Sequence, residues 1–210
     1  MKILCISDTI DPLIYSNNIK ERYGDVDLVL SSGDLSLEYY EYILSALNKP
    51  LMFVDGNHIK PAPIKSPKDC PTPSYFGDRL DDKVLVDKKT GLIIAGLGGS
   101  MRYNLGTGQY TEAAMKRRIN ALAPRLLLNK IKYGRYLDIL VTHTSPRGIH
   151  DDVDLCHTGF ECFNAFLDKY QPRYMLHGHM HLIDSNHRPV TQVGSTKVIN
   201  VYKSYVLEIS

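Results

Sequence analysis

The segment "KILCISD", Lys2 to Asp8, sets the pattern on which the fold prediction depends. Its apolar run is short and ends abruptly on a carboxylate. Four more runs of this kind occur along the chain, and each ends on a residue that can bind metal: "VDLVLSSGD" (26–34), "LMFVDGNH" (51–58), "DILVTH" (138–143) and "YMLHGHMH" (174–181). Short apolar runs closed by Gly, Asn, Asp or Ser are typical of buried strands. The sequence therefore predicts five buried strands with polar residues at their ends.

Helical patterns lie between these runs. Residues 36–49 have apolar and aromatic side chains at helical spacing and open with a serine, a suitable N-cap. Residues 111–122 predict a second helix, and Pro124 predicts the start of a third one that Gly134 ends. Residues 159–170 predict a further helix. Strand and helix thus alternate over much of the chain.

The remaining segments predict loops and paired strands. Residues 58–77 contain five prolines, which predicts an irregular surface loop. Residues 83–99 predict a hairpin around a turn at 88–91, and residues 196–210 predict two strands with a turn near Lys203 and Ser204. We therefore expect a layered α/β fold built on mixed sheets, with a single domain over residues 1–210.

The composition excludes several classes of protein. The chain has 210 residues, of which 43% are hydrophobic and 23% charged, as in ordinary globular domains. A net charge of +2 gives no electrostatic case for nucleic-acid binding. The four cysteines form no CxxC pair, the N-terminus does not resemble a signal peptide, and the apolar runs are too short to span a bilayer. We expect a soluble, cytoplasmic protein with no membrane partner; its oligomeric state is not indicated.

The strand ends supply a mixed set of metal ligands. Ligand sites in open α/β sheets form where strand ends meet. The candidate residues at these ends are Asp8, Asp34, Asn57, His58, His143, His179 and His181. Carboxylates suit hard divalent ions and imidazoles suit Mn, Fe and Zn, so this mixture favours a transition metal over calcium. It also fits two ions about 3.5–4 Å apart that share a carboxylate, an arrangement used for phosphate-ester displacement.

These motifs together resemble the calcineurin-like metallophosphoesterase family. The matching motifs occur in the family's order: Asp8 in "SDTID", "GD" at 33–34, "GNH" at 56–58, His143 in "VTHTSP", and "GHMH" at 178–181. The resemblance covers most of the chain, from residue 3 to residue 181. It implies a four-layer α-β-β-α sandwich of two mixed β-sheets. It also implies a metal-dependent phosphoesterase that hydrolyses a phosphomonoester or phosphodiester through a metal-activated water.

The resemblance assigns a role to each residue. Asp34 would bridge two ions, Asp8 and His181 would hold the first, and His58 would contact the phosphate and protonate the departing oxygen. The second ion would be held by Asn57, His143 and His179. We expect the glycines at 33, 56 and 178 to allow sharp backbone bends. We also expect the alternating histidines at 177, 179 and 181 to face one side if the segment is extended.

Two positions depart from the family pattern. Ile10 stands where the family has a histidine ligand, and Ile59 stands where an acid often follows the motif histidine. Three alternatives follow: Asp11 replaces the missing ligand; the first ion is held by fewer protein ligands or is absent; or the fold is a catalytically weak or inactive binding scaffold. The cofactor is expected to be Mn²⁺, with Fe, Zn or Mg as alternatives, at one or two ions per chain.

Three residues are candidates for substrate contact. Arg102 follows the predicted hairpin, and His150 and His157 lie in the long segment after His143. Long loops at strand ends often shape substrate pockets. The expected substrate is a small phosphorylated molecule or a nucleotide; the sequence does not distinguish between them.

Overall fold

The computed structural model describes residues 1–58, 77–181 and 189–209. The predicted proline-rich loop, apart from its first and last residues, lies outside these ranges. The helices are α1 (Ile19–Tyr23), α2 (Leu37–Leu47), α3 (Glu112–Tyr133) and α4 (Glu161–Tyr170). The strands are β1 (Lys2–Ser7), β2 (Leu28–Ser31), β3 (Leu51–Phe53), β4 (Asp78–Arg79), β5 (Lys83–Val86), β6 (Ile93–Leu97), β7 (Ser100–Met101), β8 (Gln109–Tyr110), β9 (Ile139–Thr142), β10 (Tyr174–His177), β11 (Val190–Val193), β12 (Thr196–Asn200) and β13 (Lys203–Glu208).

Two large mixed sheets organise the described residues. The first has the strand order β13-β1-β2-β3-β4, and the second has the order β11-β12-β10-β9-β6-β5. In the first sheet β1 is parallel to β2 and antiparallel to β13. In the second sheet β10 is parallel to both β9 and β12, and antiparallel strands close each edge. A short pair, β7 and β8, stands apart from both.

Three apolar cores define four layers. One core joins the facing sides of the two sheets and includes Ile3, Cys5 and Val141. A second core packs α1 and α2 on the outside of the first sheet, and a third packs α3 and α4 on the outside of the second. The strands are therefore buried on both faces, which explains why their sequences read as continuous apolar runs. The predicted α-β-β-α sandwich is confirmed.

Helix boundaries follow the predicted caps, with one exception. The Ser36 side chain accepts from the Tyr39 N–H at the start of α2, and α3 ends on Gly134 at a φ of 74°. The prediction that Pro124 starts a separate helix is wrong, because α3 runs through it without a break. Pro124 and Asn120, whose carbonyl loses its helical partner, are not buried, so water can satisfy that carbonyl.

The C-terminal strands also differ from the prediction. The turn comes before Lys203, which already begins β13 and has a φ of 62°. The two strands do not pair with each other, since β12 lies in the second sheet and β13 in the first. This connection therefore links the two sheets.

None of the helices within the described ranges is long and apolar enough to cross a membrane.

Candidate metal centre

The C-terminal ends of parallel strands from both sheets meet at one edge of the sandwich. Asp8 follows β1, and its N–H donates to the carbonyl of Gly33, just after β2. In the second sheet, the Gly178 N–H after β10 donates to the carbonyl of His143 after β9. Asp8, Asp34 and His143 each place one ligand atom within 4.8 Å of the others. Three motifs that are far apart in sequence are thus brought together.

Three of the candidate ligand residues themselves take up the sharp backbone bends. Asp8, Asp34 and His179 have φ values of 66°, 56° and 64°, in the left-handed region that such residues seldom adopt. Each conformation costs on the order of 1–3 kcal/mol and persists only where surrounding contacts hold it. The prediction that glycines make the bends is confirmed at Gly33, with a φ of 98°, and not at the other two positions.

Gly56 and Gly178 serve a different purpose from the one predicted. A Cβ at Gly56 would lie 1.8 Å from Asp34 Oδ1, and a Cβ at Gly178 would lie 2.3 Å from Asp8 Oδ2. Both carboxylates therefore lie directly against a backbone that has no side chain. This close approach, rather than a positive φ, explains why these two positions need glycine.

His143 presents a lone pair to two oxygens. Its ring is fully buried, and Nδ1 lies 2.8 Å from the Ser32 carbonyl, which can only accept. Nε2 lies 2.8 Å from Asn57 Oδ1 and 3.2 Å from Asp34 Oδ2. Asn57 Nδ2 donates to the Tyr103 hydroxyl at 3.0 Å, which turns Oδ1 towards the histidine. When the His143 ring is neutral, Nε2, Asn57 Oδ1 and Asp34 Oδ2 all present lone pairs to one another, and none of the three atoms carries a hydrogen to donate.

The electrostatics of this group favour a positive charge. Although burial alone lowers it, the hydrogen bond and charge of Asp34 raise the pKa of His143 above its ordinary value. Burial also raises the pKa of Asp8. A bound divalent cation would satisfy the converging oxygen and nitrogen atoms, and such mixed donors are those of Mn, Fe and Zn sites. The residues present therefore fit a metal ion.

The other predicted ligands border an adjoining cleft. The cleft has a volume of about 260 Å³ and is lined by Asp8, Asp34, His58, His157, His179 and His181. His179 Nε2 lies 2.6 Å from the Cys156 carbonyl, so a neutral ring keeps its lone pair on Nδ1. His181 is exposed and stacks on Tyr202, with ring centroids 4.8 Å apart. His58 is also exposed, and its backbone N–H donates to Asp34 Oδ1 at 2.9 Å.

His157 is held by its own loop. Its Nδ1 lies 2.8 Å from Asp154 Oδ2, and its backbone N–H donates to Asp154 Oδ1 at 2.9 Å. The ring centroid lies 5.2 Å from that of His179. His157 is thus the one of the three candidate substrate contacts that lines the cleft.

Asp11 is placed outside the cluster. Its carboxylate accepts from the Leu13 N–H at 2.9 Å and from the Ser204 hydroxyl, and its backbone N–H donates to the Tyr39 hydroxyl at 3.4 Å. The carboxylate therefore ties the segment after β1 to β13 instead of turning towards Asp8. Ile10, in the position that prompted the alternative, is 42% exposed. The arrangement does not support Asp11 as a replacement ligand.

Arg102 and His150 are also placed away from the cleft lining. Arg102 is exposed, and its Nη2 lies 3.5 Å from the Gln109 carbonyl. His150 contacts His177 and Thr191. His177 is fully buried and does not line the cleft with His179 and His181, because the left-handed turn at His179 breaks the extended geometry that would align the three. The segment is not extended here, so the condition under which the three histidines were expected to face one side is not met.

Several supporting residues were not identified from the sequence. The Ser32 carbonyl fixes His143, the Tyr103 hydroxyl fixes Asn57, and Tyr202 stacks on His181. A backbone carbonyl carries no sequence signal. Tyr103 and Tyr202 lie 46 and 21 residues from their partners, and the chain contains 14 tyrosines, so only tertiary contacts distinguish them.

Comparison with solved structures shows the same kind of fold in other proteins. The solved structure of TT1561 from Thermus thermophilus aligns over 96% of this chain and 89% of its own, with 15% identity and a TM-score of 0.60. A second solved structure aligns over 98% and 94%, with 12% identity and a TM-score of 0.65. A single mutant of Vps29 from Entamoeba histolytica covers 100% and 86%, with 13% identity and a TM-score of 0.44. At these identities the first two show likeness of fold alone.

No curated protein matches the chain significantly. The model of the calcineurin-like phosphoesterases matches residues 1–182, which include every strand-end motif described above. The match covers most of the 210 residues. The chain therefore belongs to the calcineurin-like phosphoesterase family.

Proposed function

We propose that this chain is a metal-dependent phosphoesterase that hydrolyses a small phosphomonoester or phosphodiester in the cleft. The observation that supports it most directly is the convergence of His143 Nε2, Asn57 Oδ1 and Asp34 Oδ2, with no hydrogen-bond donor between them when the ring is neutral. Without a metal ion these oxygens require a proton on His143 Nε2, and the raised pKa of that ring indicates that they favour an added positive charge. Buried acceptors that face each other are costly unless a cation satisfies them.

Each ligand role is part of this proposal. Asp34 would bridge, because its carboxylate groups with both Asp8 and His143. Asn57, His143 and His179 would hold one ion, and Asp8 and His181 the other. Bound divalent ions would lower the pKa of a coordinated water and offset the charge of the phosphoryl group. Mn²⁺ is the expected ion, with Fe, Zn and Mg as alternatives, at one or two per chain.

The cleft would bind the phosphoester. Its volume of about 260 Å³ suits a small phosphorylated substrate or one part of a nucleotide. His58, His157 and His181 offer imidazole N–H groups along its wall. His58 would protonate the departing oxygen, and His157, oriented by Asp154, would donate to a phosphate oxygen. The cytoplasmic location expected from the sequence remains part of this proposal.

Metal binding and turnover test the proposal together. Chelator-treated protein is titrated with Mn²⁺ by calorimetry, and hydrolysis of mono- and bis-nitrophenyl phosphate is then measured. We expect binding of one or two ions and turnover of at least one ester. Asp34→Asn should lower the Mn²⁺ affinity by more than about 100-fold, because loss of an outer partner alone costs about 10–100-fold.

The matched control is Asp82→Asn. Asp82 is also an aspartate with a positive φ, of 57°, but it is exposed and pairs with Arg118. This variant should bind Mn²⁺ as the wild type does. Metal binding without turnover of either ester would favour the alternative of a non-catalytic scaffold, and absence of any divalent-ion binding would refute the metal centre itself.

A further inference from the structure

We propose that Thr191, His150 and His177 form a hydrogen-bonded positioning relay that fixes the carboxylate of Asp8. The inference rests on the proposed function, in which Asp8 binds a divalent cation. His177 is the last residue of β10 and is 0% exposed. Its Nε2 lies 2.9 Å from His150 Nδ1, and His150 Nε2 lies 2.7 Å from the Thr191 hydroxyl on β11.

The relay has one direction. His177 Nδ1 lies 3.0 Å from the Gly178 carbonyl, which can only accept, so Nδ1 carries the proton. In a neutral ring Nε2 must then accept from His150 Nδ1–H, and His150 Nε2 must accept from the Thr191 hydroxyl. Every bond in the chain therefore points from Thr191 to Gly178.

The far end of the relay is the peptide group between Gly178 and His179. Its carbonyl accepts from His177, and its N–H donates to both Asp8 oxygens, at 3.1 Å and 3.0 Å. The same backbone lies so close to Asp8 that a Cβ at Gly178 would meet Oδ2 at 2.3 Å. A rotation of this peptide would therefore move the carboxylate. Aligned hydrogen bonds also polarise one another, which strengthens the last N–H as a donor.

The backbone conformation of His150 supports the relay, because it is strained and must be held by surrounding contacts. His150 has a φ of 58°, a conformation that costs a residue with a side chain on the order of 1–3 kcal/mol. It lies in the segment after β9, while Thr191 lies on the edge strand of the second sheet. The relay thus joins two segments remote in sequence to the turn that carries His179. His150 is a positioning residue in this arrangement, in place of the substrate contact expected from its position in the chain.

Thr191→Val and Thr191→Ser test the relay as a matched pair. Valine preserves the branched shape on the strand but removes the hydroxyl, and serine keeps the hydroxyl. The first measurement is hydrogen exchange of the His179 amide in chelator-treated protein, and the second is Mn²⁺ affinity by calorimetry. Thermal unfolding of each metal-free variant checks that it is folded.

We expect Thr191→Val to speed exchange of the His179 amide and to weaken Mn²⁺ binding about tenfold, as loss of an outer partner does elsewhere. Thr191→Ser should stay within about twofold of the wild type in both. The relay is refuted if valine leaves either quantity unchanged, or if serine causes the same losses. If the wild type binds no Mn²⁺, the proposed function fails, and amide exchange alone decides whether the relay holds the turn.

Discussion

The two sides of the candidate centre differ in how many hydrogen-bond partners orient their side chains. On the His143 side, formed by Asp34, Asn57 and His143, each side chain has a second partner that fixes its direction: the His58 N–H, the Tyr103 hydroxyl and the Ser32 carbonyl. On the Asp8 side, formed by Asp8, Ile10 and His181, the isoleucine offers no lone pair and the histidine is exposed. We therefore expect the proposed cation to bind first on the His143 side, and we expect the Asp8 side to depend on the backbone contacts around Asp8.

Alanine substitutions at Gly56 and Gly178 should distinguish the two sides with the largest change in Mn²⁺ binding. In Gly56→Ala the new Cβ displaces Asp34, the proposed bridge between the two ions, so we expect Mn²⁺ affinity to fall by more than about 100-fold. In Gly178→Ala the new Cβ meets Ser7 Oγ at 1.9 Å and Asp8 Oδ2 at 2.3 Å and so displaces the end of β1 with Asp8, and we expect one ion to be lost and the ion on the His143 side to remain. Calorimetry and elemental analysis measure affinity and stoichiometry.

Circular dichroism of both variants provides the folding control, since each should keep the wild-type spectrum. Equal loss of all metal in both variants would contradict the distinction between the sides. Retention of full binding in Gly56→Ala would show that Asp34 is not shared.

A gain of function on the Asp8 side gives a smaller effect. Ile10→His places an imidazole two residues after Asp8, at a position that is already exposed. We expect the weaker Mn²⁺ site to tighten about tenfold, because a first-row ion gains a nitrogen ligand. Leu13→His is the matched control, as Leu13 is 49% exposed in the same segment. A similar gain in the control, or none in Ile10→His, would show that this position does not face the ion.

The sequence predicted the parts of the centre that local chemistry determines. An apolar run that ends on Asp8 or His143 implies a buried strand with its polar residue at the sheet edge, and parallel neighbours bring such edges together. The sequence could not predict which side chains from distant segments contact these residues. Ser204 reaches Asp11 across 193 residues, and Thr191 reaches His150 across 41. These contacts depend on sheet order, which a local pattern does not encode.

Local rules also failed where tertiary packing overrode them. Pro124 is a suitable first residue of a helix, yet α3 continues through it with Leu122 and Leu126 both buried in the outer core of the second sheet. The histidines at 177 and 179 alternate as in a strand, yet the left-handed turn at His179 places His179 in the cleft lining and leaves His177 against His150. The strain at such residues is tolerated because contacts on both sides hold it.

Removing the Asp11 carboxylate should have the smallest effect on cation binding. Its two partners, the Leu13 N–H and the Ser204 hydroxyl, occupy both oxygens away from the cluster, so Asp11→Ala should leave the Mn²⁺ count unchanged. It should instead lower the free energy of unfolding by about 1–3 kcal/mol, because it removes the acceptor of two partly buried hydrogen bonds. Urea unfolding measures this loss. Ser204→Ala should cost less in the Asp11→Ala background than in the wild type, since both changes remove one shared bond. Loss of an ion in Asp11→Ala would instead place this carboxylate on the Asp8 side as a ligand. A residue that only ties the segment after β1 to β13 would not change the number of bound ions.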